Sequence, residues 1–287
     1  MRKNSIVRPF LKWAGGKRQL LPELIKYIDQ KSLKKCRYYE PFIGGGALLF
    51  ELQPTRAVIN DKNQELINCY EVVRDSLDDL IEELRNHQEN NSADYFYEIR
   101  DLDRSPKEYK KLSKVKKAAR IIYLNKTCYN GLFRVNSQGQ FNVPFGRYKK
   151  PNILDEAVLK AVSIYLNKSQ VKLLNIDFEE AVKNAKKGDV IYFDPPYDPI
   201  SDTASFTGYD ANGFNRNEQK RLKEVFDELT QRGCLVILSN SQTDFIMDLY
   251  QDYQDKIKIV RAARNINSKG FKRGKIDEII VLNFSDD

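Results

Sequence analysis

The chain contains 287 residues, of which 41% are hydrophobic, so it can bury a full core and is not expected to be disordered. The net charge of +8 at pH 7 favours a polyanionic partner. No apolar run reaches roughly 18 residues, and the stretch after Met1 is too polar for a signal peptide, so we expect a soluble, intracellular protein without membrane contact. The four cysteines are far apart and share the chain with a single histidine, His87, which predicts neither a zinc site nor a disulfide framework.

Basic residues are concentrated in two regions. Residues 105–150 hold twelve lysines or arginines against a single acid, Glu108. Residues 261–275 hold six basic residues and no acid. A solvated helix face is the ordinary explanation for one lysine cluster, but two such regions in one chain favour contact with nucleic-acid phosphates.

The first part of the chain predicts a ligand site. Residues 9–17 form a loop that ends in Gly-Gly-Lys and leads into an amphipathic helix through about Asp29. A strand over 37–42 opens through a glycine turn, 43–47, into a second helix, and the next strand covers 57–61.

These loops match no standard phosphate-binding pattern. The Walker pattern needs glycine where Leu11 stands and Ser or Thr where Arg18 stands, and the dinucleotide fingerprint needs glycine at Leu49. A glycine turn without a pyrophosphate fits an adenosyl cofactor better. Asp61, at the carboxyl end of its strand, can accept hydrogen bonds from both ribose hydroxyls, or it can simply cap the following helix.

The middle of the chain predicts an insertion. Uneven amphipathic helices run from about residue 64 to 124 without a βαβ rhythm, and residues 125–148 are dense in turn formers, amides, arginines and aromatics. We interpret 78–166 as an inserted helical module with a hairpin whose ribbon enters a DNA groove, reads base edges and wedges an aromatic between bases.

The second part of the chain returns to alternating strands and helices. The pattern predicts a mostly parallel α/β sheet whose last two strands form an antiparallel hairpin at the edge. The predicted strands are 171–174, 190–193, 234–239, 256–261 and 276–283, and the predicted helices begin at Asp177-Phe178 and cover 216–231.

A stiff corner follows the strand at 190–193. Asp194 marks the end of this buried strand, Pro195 and Pro196 fix the backbone, and Tyr197 adds an aromatic face. A carboxylate and an outward carbonyl can accept both hydrogens of an exocyclic amino group, which frees the nitrogen lone pair to attack an electrophilic methyl group. The aromatic ring can hold the planar base by stacking. An ordinary strand followed by a Pro-Pro turn is the simpler alternative.

The order of these motifs, together with the segments Tyr129–Arg134 and Phe141–Tyr148, resembles the Dam-type DNA adenine-N6 methyltransferases that act on GATC. The resemblance implies a class I S-adenosylmethionine-dependent methyltransferase with a Rossmann-like sheet. Its catalytic domain would comprise 1–77 and 167–287, and its inserted DNA-recognition domain 78–166. It implies a monomer that acts on double-stranded DNA in the cytoplasm, at the nucleoid, without a metal, and that releases S-adenosylhomocysteine. It does not decide between a restriction-modification enzyme and a solitary one.

The resemblance also implies roles for individual residues. The predicted catalytic residues are Asp194, Pro195 and Tyr197, with Tyr197 stacked on an adenine flipped out of the duplex. The predicted cofactor residues are Trp13, Lys17, Phe42, Gly44, Gly46, Asp61, Asp177, Phe178 and Asp194. The predicted DNA-contacting residues are Lys126, Tyr129, Asn130, Leu132, Arg134, Pro144 and Arg147.

Other methylation reactions and a purely DNA-binding role agree less well with the sequence. Cytosine N4, RNA adenine and protein glutamine methylation use a similar corner, but the Asp at 194 and the GATC-like segment argue against them. Cytosine-C5 methylation needs a nucleophilic cysteine, typically after proline, and no cysteine here follows proline. A DNA-binding protein that has lost its chemistry would not need Lys17, Asp61 and Asp194, all of which are present.

Overall fold

The computed structural model describes residues 3–13, 20–29, 31–199, 214–263 and 275–285, without the side chains of 32, 261–263, 275 and 276. The α-helices of this part of the chain are α1 (Leu21–Leu24), α2 (Ala47–Leu52), α3 (Gln64–Asp75), α4 (Leu77–Glu89), α5 (Ala93–Asp101), α6 (Pro106–Lys111), α7 (Lys114–Thr127), α8 (Glu156–Lys168), α9 (Phe178–Val182), α10 (Arg216–Gln231) and α11 (Asp244–Leu249). The strands are β1 (Tyr38–Glu40), β2 (Arg56–Asn60), β3 (Gln170–Leu174), β4 (Val190–Phe193), β5 (Leu235–Ser241), β6 (Ile257–Ala263) and β7 (Lys275–Leu282). No helix among the described residues is long and apolar enough to cross a membrane.

The chain divides into two compact units. The first comprises Met1–Gly16, Gly44–Gln53 and Asp61–Asn175, and the second comprises Lys17–Ile43, Pro54–Asn60 and Ile176–Asp287. The strands form a mostly parallel sheet, as predicted for a class I methyltransferase fold. Both units contain several chain segments, so neither corresponds to one continuous stretch of sequence.

The first unit is built around α7. Its side chains are buried from Ala118 to Asn125, including the polar Arg120 and Asn125, and the Phe96 ring of α5 packs against the Tyr123 ring of α7. Side chains cap its helices: Ser113 accepts a hydrogen bond from an amide in the first turn of α7, as Asn63 does for α3. The burial of Arg120 and Asn125 requires bonded partners for both side chains. Arg120 donates to the carbonyls of Ile99 and Arg100 and pairs with Asp103, and Asn125 bonds to Lys12 and Gly131.

Six of the strands belong to the second unit, in the order β2-β1-β4-β5-β7-β6. The pairs β1–β2, β1–β4 and β4–β5 are parallel, whereas β5–β7 and β6–β7 are antiparallel. All four residues of β4 are buried, in agreement with the apolar run in the sequence. Parallel strands end at the same edge, so residues that follow β4 and β5 lie close together.

Several predicted elements are confirmed. α10 covers the predicted 216–231, Asp177 caps α9, and the last two strands form the expected antiparallel edge. The amphipathic helix predicted through Asp29 is wrong in length, because α1 ends at Leu24 and gives way to a 3₁₀ turn, with Ile28 already extended.

The predicted hairpin also differs from the structure. α7 continues to Thr127, past the predicted start of the hairpin at Asn125. In residues 128–148, all of which are described, pairing is limited to the isolated bridges Cys128–Phe145 and Val135–Phe141 rather than a continuous ladder. The segment is therefore an irregular loop whose two arms run antiparallel and are joined at these two bridges.

Candidate functional site

The glycine turn in the first unit requires its glycines. Gly44 and Gly46 have φ values of +48° and +70°, which disfavour a side chain. A Cβ at Gly46 would lie 2.7 Å from the hydroxyl of Tyr70, and one at Gly44 would lie 3.2 Å from the ring of Trp13. The turn therefore needs glycine both for its backbone conformation and for its close packing against Trp13 and Tyr70.

Asp61 is tied to this turn. Its Oδ2 accepts a hydrogen bond from the Gly44 amide at 3.1 Å, and its Oδ1 accepts one from the Asn63 amide at 2.9 Å. The α3 helix is capped by the Asn63 side chain, so Asp61 is not its N-cap. Burial raises the pKa of the Asp61 carboxyl to about 6, although both amides act in the opposite direction.

The carboxylate of Asp61 retains acceptor capacity. An ionised carboxylate has about four lone-pair sites, and the two amides use two of them. Two further donors, such as the hydroxyls of a ribose, fit what is left. The residues of the turn therefore fit the adenosyl group that the sequence predicts.

Trp13 connects the turn to the recognition segment, defined here as residues 128–148. Its ring stacks on Phe133 with centroids 4.6 Å apart, and Phe133 packs edge-on against Phe141. The buried amide of Asn125 binds both backbone groups of Lys12, at 2.8 and 2.6 Å, and the carbonyl of Gly131 at 3.0 Å. The predicted cofactor residue Lys17 lies outside the described residues.

The second unit contains the aromatic group predicted to meet adenine. Phe42 and Phe178 have ring centroids 5.4 Å apart, and Phe214 packs edge-on against Phe42 at 5.5 Å. Asp177 caps α9 through its Oδ1 and forms an ion pair of 2.6 Å with Arg221 through its Oδ2. The Arg221 guanidinium also lies 4.4 Å from the Phe178 ring centre, so it holds both predicted residues. Sequence reasoning missed Arg221.

The Asp194 corner lies at the carboxyl end of β4. Ser239 of β5 donates a hydrogen bond of 2.9 Å to Asp194 Oδ1. The Pro196 carbonyl accepts a hydrogen bond from Gln219 of α10 at 2.8 Å, whereas the Pro195 carbonyl accepts none from the described residues. The carbonyl predicted to bind the target amino group is therefore the one that receives no hydrogen bond from the part of the chain that the structure describes.

Tyr197 is anchored at its hydroxyl, which donates to Glu278 of β7 at 3.2 Å. Burial, and then the charge of Asp194, raises the pKa of this hydroxyl well above its ordinary value, so it remains a donor. Asp198 continues the frame, since its amide donates to Asn240 at 3.1 Å. The contact of Glu278 with Tyr197 could not be predicted from the sequence around the corner, because Glu278 belongs to a strand about 80 residues further along the chain.

The recognition segment presents several predicted DNA-contacting side chains to solvent. Tyr129 is 48% exposed, and its amide donates to the Pro144 carbonyl at 2.8 Å, which joins the two arms of the segment. Asn130 and Arg147 have φ values of +56° and +52°. The exposed residues of the predicted set are Tyr129, Asn130, Arg134, Pro144 and Arg147, and the half-buried ones are Lys126 and Leu132.

Arg134 is oriented by its neighbour across the segment. Its Nε donates to Asn142 Oδ1 at 2.8 Å and its Nη2 to the Asn142 carbonyl at 3.3 Å. The adjacent Phe141 is held at both backbone groups: its amide donates to Asp103 at 2.8 Å, and its carbonyl accepts from Arg104 at 2.7 Å. Buried Arg120 pairs with Asp103 at 2.7 Å, so the arm that supports Arg134 is fixed to the core of its unit.

The lysines near the recognition segment are not equivalent. Lys111 pairs with Glu108, and Lys114 pairs with Glu71, each at 2.8 Å. Among the described residues, Lys116 is exposed and forms no ion pair. Free cations of this kind can bind phosphate without first breaking a bond within the protein.

Residues 13–266 match the family described as D12 class N6 adenine-specific DNA methyltransferase. The chain belongs to this family. It is 49% identical over 285 residues to a type II methyltransferase of Lactococcus lactis subsp. cremoris, which covers 99% of this chain and 98% of that protein.

Two further relatives match over nearly their whole length. A type II methyltransferase of Methanocaldococcus jannaschii is 43% identical, covering 97% of this chain and 99% of that protein. The DNA adenine methylase of Escherichia coli is 35% identical, covering 98% of this chain and 96% of that protein. The D12 enzyme described here is thus a DNA adenine-N6 methyltransferase that uses S-adenosylmethionine, as the sequence predicted.

Proposed function

We propose that this D12 enzyme methylates N6 of the adenine in duplex GATC after flipping that adenine out of the helix. The observation that carries the proposal is the exposed guanidinium of Arg134, held by Asn142 in the segment that resembles the GATC-reading segment of Dam-type enzymes. Guanine is the base that offers two major-groove acceptors, O6 and N7, to such a fork of donors. Residues 78–166 would supply this recognition module, and 1–77 with 167–287 the catalytic domain.

Tyr129 supports the flipping step. Its ring is large and 48% exposed although the backbone around it is bonded on both arms. An exposed aromatic on a fixed backbone can occupy the gap that a flipped base leaves, and this replaces part of the lost stacking. Asn130, Leu132 and Pro144 would contact the remaining base edges, and Lys126 and Arg147 the backbone.

The Asp194 corner would hold the target amino group. The Asp194 carboxylate and the Pro195 carbonyl each accept one amino hydrogen, and Tyr197 stacks on the base. S-adenosylmethionine would supply the methyl group: the new C–N bond replaces the methyl–sulfur bond, whose electron pair stays on the sulfur of S-adenosylhomocysteine, and the amino nitrogen loses one proton to solvent. As the nitrogen forms its new bond it gains positive charge, which the fixed carboxylate stabilises more strongly than it stabilises the neutral amine.

The residues proposed to bind the cofactor are assigned by resemblance to Dam-type enzymes. In the first unit these are Trp13, Gly44, Gly46 and Asp61, and in the second unit Phe42, Asp177, Phe178 and Asp194. Lys17, which follows the glycines of the N-terminal loop in the sequence, completes the set by resemblance.

Asp61 gives a prediction on pH. The ribose hydroxyls need an ionised acceptor, and the pKa of Asp61 in the free protein is about 6. Affinity for S-adenosylmethionine should therefore be constant above this pH and fall as pH decreases through it, by about tenfold per unit well below. Calorimetric titration between pH 5 and 8 measures this. The Asp61→Asn variant should bind S-adenosylmethionine weakly, and its affinity should not depend on pH in this range. If the affinity of this variant still falls with decreasing pH, the titration belongs to another group.

The basic surface gives a prediction on salt. Lys116→Gln should weaken DNA binding equally on all sequences and reduce the slope of log K against log salt by about one, because one phosphate contact is lost. Lys114→Gln is the matched control and should change the slope less, since Lys114 is already paired with Glu71. A change in preference between GATC and its one-base variants at constant slope would make Lys116 a base reader instead.

Mapping of methylated sites tests the proposed target. The enzyme should be expressed in a host that lacks adenine methylation, and the genome then sequenced for N6-methyladenine. We expect methylation at GATC on both strands. Modification concentrated at another motif would reject the proposed specificity while leaving the enzyme class intact. Fluorescence of 2-aminopurine at the target position should increase on binding if the base is flipped.

Two relatives named type II methyltransferases favour a role beside a restriction endonuclease for this enzyme. Such a partner would need every site modified, so methylation should reach completion in the host. We further propose that the enzyme acts as a monomer at the nucleoid, which sedimentation of the complex with a GATC duplex would test through its 1:1 mass.

A further inference from the structure

We propose that Ser239 and Tyr192 are positioning residues that orient the Asp194 carboxylate for methyl transfer through a chain of two hydroxyl groups. This inference rests on the proposed role of Asp194 in binding the target amino group. Neither residue would touch the substrate.

The strand register places the three side chains together. Tyr192 lies beside Ile237 and Phe193 beside Leu238 in the parallel pair β4–β5. Because side chains alternate along a strand, Tyr192 and Asp194 share one face, and Ser239 shares the face of its own strand that Ile237 occupies. The next pair in this register is Asp194 with Ser239.

The hydrogen bonds have one consistent direction. Ser239 Oγ lies 2.9 Å from Asp194 Oδ1 and 2.9 Å from the Tyr192 hydroxyl. An ionised carboxylate only accepts, so the single hydrogen of Ser239 goes to Asp194 and Tyr192 must donate to Ser239. Burial, and then the charge of Asp194, raises the pKa of Tyr192 well above its ordinary value, which keeps its proton in place.

The two hydroxyl groups fix the last side-chain torsion angle of Asp194. Rotation about the last bond of an aspartate is broad and two-fold, so the strand alone does not decide where its oxygens point. Ser239 is fully buried and Tyr192 is 1% exposed, so water does not compete for these bonds. With Oδ1 held by Ser239, the direction of the second oxygen towards the target site is set before substrate binds.

Other charged groups surround the chain. Glu40 of β1 and Glu278 of β7 also act on Tyr192, and Glu278 binds Tyr197. The hydrogen bond that Ser239 donates favours the ionised form of the carboxylate, so the acid limb of the pH profile should move to higher pH when the bond is removed.

The test is a double-mutant cycle on kcat, measured against pH at saturating DNA and S-adenosylmethionine. Ser239→Ala should lower kcat by about tenfold to a hundredfold, as expected for a lost hydrogen bond to a charged group, and move the acid limb to higher pH. Tyr192→Phe should lower kcat by about fivefold and move the acid limb in the same direction, to higher pH. The double variant should match Ser239→Ala alone, because Tyr192 acts through Ser239.

Controls separate positioning from stability. Tyr250→Phe removes another buried tyrosine hydroxyl, which has no hydrogen-bond partner among the described residues, and should leave kcat and its pH profile unchanged. Ser239→Thr keeps the hydroxyl and should restore the acid limb. If Ser239→Ala does not fold, as thermal unfolding would reveal, Tyr192→Phe removes only one oxygen atom and carries the test alone.

Failure of this proposal is distinguishable from failure of the proposed function. The hydroxyl chain would be overturned if both single variants kept the wild-type kcat and acid limb while Asp194→Ala was inactive. The role of Asp194 would then still stand. Additive losses with an unmoved acid limb would also overturn it, in favour of a purely structural role. An active Asp194→Ala would instead reject the proposed function.

Discussion

Asp194→Ala is expected to reduce methyl transfer by about a thousandfold or more, because it removes an acceptor aimed at the nitrogen where charge develops. DNA affinity should change by only a few fold, since phosphate contacts dominate it. Single-turnover transfer of labelled methyl groups measures the first quantity, and a filter or fluorescence titration with a GATC duplex measures the second.

Matched variants make this result specific. Asp194→Asn keeps one acceptor oxygen and should retain a measurable fraction of activity. Asp248→Ala removes an exposed carboxylate of α11 in the same unit and should leave the rate unchanged. Transfer at the wild-type rate by Asp194→Ala would show that the corner does not act on the amino group.

Arg134→Ala is expected to relax selection at one guanine of the site. A bidentate contact with guanine discriminates by about 1 to 3 kcal/mol, roughly tenfold to more than a hundredfold in preference. Activity on GATC should fall by this factor, and activity on duplexes altered only at the first base should fall less. The comparison is kcat/KM on GATC and on the three duplexes with another base at the first position.

Two controls define the meaning of that ratio. Arg134→Lys keeps the charge but not the planar fork, so it should lose discrimination almost as fully as the alanine variant. Asn142→Ala removes the side-chain bond that orients Arg134 and should give an intermediate loss. An equal loss of kcat/KM on all four duplexes would assign Arg134 to phosphate contact. The affinity for S-adenosylmethionine should be unchanged in every variant.

The parts of this structure that depend on local pattern were predictable. The buried run before Asp194 predicted β4, and the apolar spacing of 216–231 predicted α10 to the residue. Ser239 could also have been found, since the parallel register that pairs Phe193 with Leu238 places the next residues, Asp194 and Ser239, side by side.

The parts that depend on distant partners were not predictable. The recognition segment is shaped by Asn125 bound to Lys12 and by Phe141 bound to Asp103 and Arg104, and none of these pairs has a local signature. Its turn residues therefore predicted a regular hairpin where side-chain bonds hold an irregular loop. Near the N-terminus, amphipathic spacing overestimated α1, because β-branched Ile25 and Ile28 favour a tighter turn and an extended exit.

The most direct test of the account is transfer of isotopic methyl groups from S-adenosylmethionine by the purified enzyme to short duplexes that differ only in one site. A duplex with GATC should accept label on the adenine of each strand as N6-methyladenine. A duplex with the site scrambled, and one already methylated on both adenines, should accept almost none. Equal labelling of the GATC and scrambled duplexes, or label in cytosine, would contradict the account.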